Sequence, residues 1–147
     1  MVIHFTIEKQ PEVIRQVIEL CDSSFMVGIT HRDNYLDILK KMQQYAEFIV
    51  PRDADDTPLG YVSMYANNTD TRIAYISMFC IRKEFQKQHL GVALMQKAEQ
   101  VAREKCMKSI QLEVLRENTK GQNFYQKYGF HSLNKSSDTS LLMEYVL

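Results

Sequence analysis

Neither sign of charge is in excess: the 147 residues carry 18 acidic and 18 basic side chains, for a formal net charge of zero. A protein that held nucleic acid by bulk charge would show a basic surplus, so the balance argues against that partner. No apolar run is long enough to span a bilayer and no signal-like pattern opens the chain, so no membrane partner is expected either. The three cysteines, Cys21, Cys80 and Cys106, share no metal-ligand or redox spacing. An odd count on apolar faces points to free thiols in a reducing cytoplasm and to no bound metal. Cys80 lies in an apolar run, where it reads as a small core hydrophobe before it reads as a nucleophile. Repeats, low-complexity stretches and linkers are also missing, so residues 1–147 read as one domain of ordinary size with a real core.

The patterns that are present alternate between strand and helix. Met1 to Ile7 reads as an opening strand. A helix then starts at Pro11, with Val13, Val17, Ile18 and Leu20 as its apolar face. After a loop from Asp22 to Thr30, Asp33 is placed to cap a helix from Tyr35 to about Gln44, with Leu36, Leu39 and Met42 inward. Tyr45 to Val50, Leu59 to Ala66 and Thr71 to Ile81 read as strands separated by polar turns, an antiparallel meander. Leu90, Ala93, Leu94, Ala98, Val101 and Ala102 recur at helical spacing. Ser109 to Val114 alternates as a half-buried strand. Asn118 and Thr119 can cap a helix that ends at Gly129, and Phe130 and Ser140 to Val146 supply closing strands. The fold class is α/β, with a mixed, mostly antiparallel central sheet flanked by helices.

Two stretches carry chemistry. Gln86-Lys87-Gln88-His89-Leu90-Gly91 sits at a helix start, where unpaired N–H groups and the positive dipole end suit a phosphate or pyrophosphate. Lys87 adds charge and Gly91 permits close backbone approach; the same loop also reads as a solvated strand-to-helix turn. Further on, Asn118-x-x-Gly121-x-x-Phe124-Tyr125-x-x-x-Gly129-Phe130 resembles the closing motif of the GNAT family, the acyl-CoA N-acyltransferases. Gln86-x-x-His89-x-Gly91 resembles that family's acyl-CoA loop, and the two lie in the family's order and spacing. Two positions depart from the pattern: His89 stands where the loop usually has its first glycine, and Gly121 where alanine is frequent. Helix-start residues seldom need positive φ, so His89 is expected in a helical conformation with its imidazole turned out beside the phosphates. The alternative is a strained left-handed residue.

The resemblance implies an N-acetyltransferase that takes acetyl-CoA as co-substrate and a small-molecule primary amine as partner. By it, Phe79, Cys80, Ile81, Gln86, Lys87, Gln88, His89, Leu90, Gly91, Val92, Asn118, Phe124 and Tyr125 hold the cofactor. Tyr125 is also the expected general acid, since a phenol with a reference pKa near ~10 stays a proton donor at neutral pH; its other reading is a packing anchor. The base is open. The central strand has no carboxylate, Glu113 on the next strand is one candidate, and Tyr75, Ser77 or His31 acting through water are others. A nearly neutral pocket that selects the free amine needs none. Phe25, His31, Tyr35, Tyr75 and Ser77 are the expected substrate contacts. Tyr, Ser, Asn and His residues on that side suit a hydroxyl-rich amine such as an amino sugar, and no acidic pocket for a polyamine is legible. A protein or peptide amine, or a non-catalytic acyl-CoA-binding module, are the alternatives, and the family's strand edges often pair into homodimers.

Overall fold

The computed structural model describes residues 2–134 and 136–147, with the side chains of Lys87 and Gln88 outside the described ones. Its strands are β1 (His4–Glu8), β2 (Glu47–Arg52), β3 (Gly60–Tyr65), β4 (Ile73–Ile81), β5 (Ser109–Leu115), β6 (His131–Ser132) and β7 (Ser140–Val146). Its helices are α1 (Pro11–Cys21), α2 (Tyr35–Tyr45), α3 (Leu90–Glu104) and α4 (Thr119–Tyr128). The strands form one seven-stranded sheet in the order β1-β2-β3-β4-β5-β7-β6. Every pairing is antiparallel except β4 with β5. The α/β, mostly antiparallel expectation therefore holds.

Each sheet face has its own core. One packs Ile14, Val17, Ile18 and Cys21 of α1 and Leu39 and Met42 of α2 against Phe48, Val50, Tyr61 and Cys80. The other packs Leu90, Leu94, Ala98 and Val101 of α3 against Val62, Ala74, Ile76, Ile110 and Leu112. Leu20 and Leu36, expected inward, are 43% and 73% exposed. The buried stripe of α1 runs through Ile14, Val17, Ile18 and Cys21, and Leu20 falls off it by helical geometry. Asp33 does not cap α2: the N-cap is Asn34, with no side-chain hydrogen bond. β2 also runs past Val50 through Pro51, which pairs with Phe5 beyond the last β2–β3 ladder pair, Ile49↔Val62, and so breaks no bond in that ladder.

Two irregularities of β4 shape the molecule. The β3–β4 register shifts between Ser63 and Met64, so Ser77 is an extra residue in β4. Before it, Ala74 and Ile76 face the α3 core; after it, Phe79 and Ile81 do, while Met78 and Cys80 face the α1–α2 core. The parallel ladder with β5, in turn, ends at Ile76↔Leu112, although β4 continues to Ile81 and β5 to Leu115. The strands part there and leave a gap.

Tyr61 of β3 is fully buried, and its hydroxyl has no hydrogen-bond partner among the described residues. An uncompensated polar group of this kind costs about 1–3 kcal/mol. On the same strand, a Cβ at Gly60 would run into the Cys80 carbonyl of β4. Gly60→Ala is therefore expected to destabilise by about 3 kcal/mol through backbone displacement, a fall in Tm of roughly 6–12 °C in a thermal melt. An unchanged Tm would mean that the β3–β4 spacing is slack.

Candidate active site

The gap between β4 and β5 opens into a groove of about 950 Å³. One wall is Phe79, Cys80 and Ile81 at the end of β4. A second is Asn118, Lys120, Gly121, Phe124, Tyr125, Lys127 and Tyr128 from the α4 segment. Lys83, Gln86, His89, Gly91, Val92 and Gln96 line the floor, and Ser24, Phe25 and Met26 close the remaining side.

Each wall has a local cause. Asn118 caps α4: its Oδ1 accepts from the Gly121 N–H at 2.9 Å. A Cβ at position 121 would come within 2.5 Å of Asn118 Nδ2, so glycine in place of the family's alanine gives the Asn118 amide room over the first turn. The helix stops at Gly129, whose φ of 129° closes it with bonds back to Tyr125 and Gln126. Along α4, Phe124 and Tyr125 turn toward β4. Their ring centroids lie 5.6 and 6.1 Å from that of Phe79, and Tyr125 also meets Phe130 at 5.8 Å. Tyr125 is half-buried at the groove, and burial pushes its phenol above the ordinary value, so it is protonated at neutral pH. Tyr128 anchors the far end of α4 to α3 by donating to Glu99 Oε1 at 2.7 Å.

The expected loop is a 3₁₀ helix, Lys83–Gln88, running into α3. His89 is the joint between the two, at φ 58° and ψ 20°. This corrects the helical expectation for His89: it ends the 3₁₀ helix as a left-handed C-cap and is at the same time the N-cap of α3. His89 gives α3 no side-chain cap, so the first-turn N–H groups are left for another acceptor. Gln86 spans the groove floor, donating to the Ile81 carbonyl at 2.8 Å and accepting from Lys120 Nζ at 3.1 Å.

Of the residues singled out in the sequence, Phe25, Phe79, Cys80, Ile81, Gln86, His89, Gly91, Val92, Asn118, Phe124 and Tyr125 line this one groove. The Lys87 and Gln88 side chains, also expected at the cofactor, lie outside the described residues. Leu90 is buried in the α3 core. Contact with Cys21 and burial push the Cys80 thiol up, which keeps it un-ionised. Glu113 is exposed and accepts from Ser140 Oγ at 3.0 Å, away from the groove. His31 is exposed, and Tyr35 donates to Glu19 Oε2 at 3.2 Å. Tyr75 pairs with Gln111 in the ladder, and Ser77 at the bulge donates to Ser63 Oγ at 3.1 Å. None of these last five is among the lining residues. Lys83, Lys120 and Lys127 were not singled out; a lysine in a polar stretch looks like solvated surface until the fold brings three of them to one rim.

A groove between parting parallel strands, with a helix start on its floor, is that of an N-acyltransferase fold. The chain belongs to the acetyltransferase (GNAT) family, whose profile matches residues 14–130. A Bacillus subtilis (strain 168) protein, provisionally named a ribosomal protein bS18-alanine N-acetyltransferase, is 30% identical over 118 residues, 80% of this chain and 74% of that one. The crystal structure of PaiA N-acetyltransferase from Thermoplasma acidophilum in complex with coenzyme A superposes with a TM-score of 0.81 at 21% identity, covering 100% of both chains. Ard1 from Thermoplasma volcanium gives 0.79 at 24%, covering 100% of this chain and 99% of its own. No helix among the described residues is long and apolar enough to cross a membrane.

The left-handed backbone at His89 carries strain that glycine lacks, at about 1 kcal/mol. His89→Gly should raise the Tm by roughly 2–4 °C; a lower Tm would show that the imidazole makes contacts worth more than the strain.

Proposed function

We propose that the chain transfers an acetyl group from acetyl-CoA to a primary α-amine of peptide type, with Tyr125 as the general acid. The observation that carries this is the Tyr125 phenol, a proton donor at neutral pH, at the meeting point of β4 and α4 on the wall of the groove.

The residues present fit the co-substrate. Uncapped first-turn N–H groups of α3 and the rim lysines Lys83, Lys120 and Lys127 suit its phosphates. The β4 edge from Phe79 to Ile81, with no β5 ladder partner, suits its amide-bearing arm. When bound, acetyl-CoA supplies the acetyl group as a thioester. The amine nitrogen bonds to the acetyl carbon as the carbon–sulfur bond breaks. The amine's proton passes to water, Tyr125 gives its own to the departing sulfur, and water returns a proton to the phenolate before the next turnover.

The lining residues include no Asp or Glu, so the acceptor enters as free amine. An α-amine, with a pKa of about 7.7–8.0, is roughly one-tenth free at pH 7; an alkylammonium near ~10.4 is free to less than about one part in a thousand. That difference supports an α-amine over a lysine or polyamine. An amino sugar is the second reading: of the polar residues that suggested it, Ser24 lines the groove, whereas His31, Tyr35, Tyr75 and Ser77 do not, and Ser24 sits there beside the apolar Phe25 and Met26. The bS18-alanine activity named for the B. subtilis relative is in keeping with a peptide amine.

A thiol-release assay with alaninamide, glucosamine and spermidine should give the highest kcat/KM for alaninamide. Tyr125→Phe should lower kcat on the order of ten- to thousandfold while the acetyl-CoA-induced rise in Tm persists. Unchanged turnover would leave Tyr125 a packing residue.

A further inference from the structure

Tyr61 is a core residue with a hydroxyl that the core does not use. Its ring stacks on Phe48 at 4.8 Å and meets Phe25 edge-on at 6.0 Å. Phenylalanine would satisfy both contacts. No described residue bonds the hydroxyl. The Asp22 carboxylate is taken by the Ile29 and Thr30 N–H groups and the Thr30 hydroxyl. The Tyr35 hydroxyl donates to Glu19, and the Cys80 thiol to the Cys21 carbonyl.

The position of this orphan is informative. Tyr61 pairs in register with Cys80. Cys80 and Phe25, both in its cluster, line the groove. The phenol therefore lies one side chain behind the groove wall. It is on the α1–α2 face of the sheet, whereas Phe79 and Tyr125 pack on the α3–α4 face. An amine attacking at the gap would extend its remaining atoms toward the Phe25 side.

We infer that Tyr61 is a specificity-determining residue for the acceptor: with Phe25 turned aside, its hydroxyl donates to the carbonyl oxygen adjacent to the reacting α-amine. The occupant is an aminoacyl group with a small or apolar side chain, since Phe25 and Met26 line this side of the groove. A site that hydrogen-bonds a substrate group discriminates against the analogue that lacks it. This inference rests on the acetyltransferase reading above.

The test compares wild type and Tyr61→Phe at a pH of about 9, where an alkylamine is free to a few per cent, on alaninamide and on isopropylamine, which keeps the branched carbon but lacks the carbonyl. Thiol release is read for both, with the acetyl-CoA-induced Tm shift as a control on the groove. Tyr61→Phe should lower kcat/KM for alaninamide at least tenfold, chiefly through KM, and change that for isopropylamine less than twofold. Its own Tm should be equal or higher, because an unpaired buried group is gone. Equal losses on both amines, or no loss on alaninamide, would overturn the inference and make Tyr61 a packing residue. A wild type that retains the Tm shift but turns over no alaninamide would overturn it too, while leaving co-substrate binding intact.

Discussion

The parting of β4 from β5 is the constraint on which the site depends. Two parallel strands share ladder pairs from Ile73↔Ser109 to Ile76↔Leu112 and then separate. Backbone groups in a sheet need partners, and beyond Ile76 those on the β5 side of β4 have none from the neighbouring strand. The extra residue at Ser77 falls where the separation begins. It turns Phe79 toward α4 and Cys80 toward α1, so one strand end presents different chemistry to each face. α3 and α4 are then held against the gap by the Phe124–Phe79 contact and the Tyr128–Glu99 hydrogen bond.

The two faces divide the work. On the α3–α4 side lie the features suited to phosphate and thioester: an uncapped helix start, the lysine rim and the Tyr125 phenol. On the α1–α2 side the groove meets the Phe25 ring, with Tyr61 buried behind it. Two of that side's carboxylates are already committed, Asp22 to its own loop and Glu19 to Arg15 and Tyr35. The described residues that line the groove include no Asp or Glu.

Much of this was legible before any coordinates. The helical spacing around Leu90, the alternation of Ser109 to Val114, and the Asn118 cap and Gly129 stop are local signals, and they bring most of the co-substrate wall with them. The bulge left no trace, because every residue from Ile73 to Ile81 except Ser77 is apolar or aromatic and a change of facing does not alter the pattern. His89 was misjudged because its conformation answers to the junction of two helices, a property of no single residue. Glu113, His31 and Tyr35 looked chemical by type, yet exposure or a prior hydrogen bond takes each away from the groove. Tyr61 looked like any core aromatic; only its unused hydroxyl sets it apart.

The most direct test of the account is the melting temperature of the protein across a series of acetyl-CoA concentrations. Ligand that binds the native state alone stabilises it by about 2.7 kcal/mol at a hundredfold excess over its dissociation constant, a rise of roughly 5–11 °C for a domain of this size. The account predicts that rise, growing with the logarithm of concentration. A Tm that stays flat up to millimolar acetyl-CoA would contradict it.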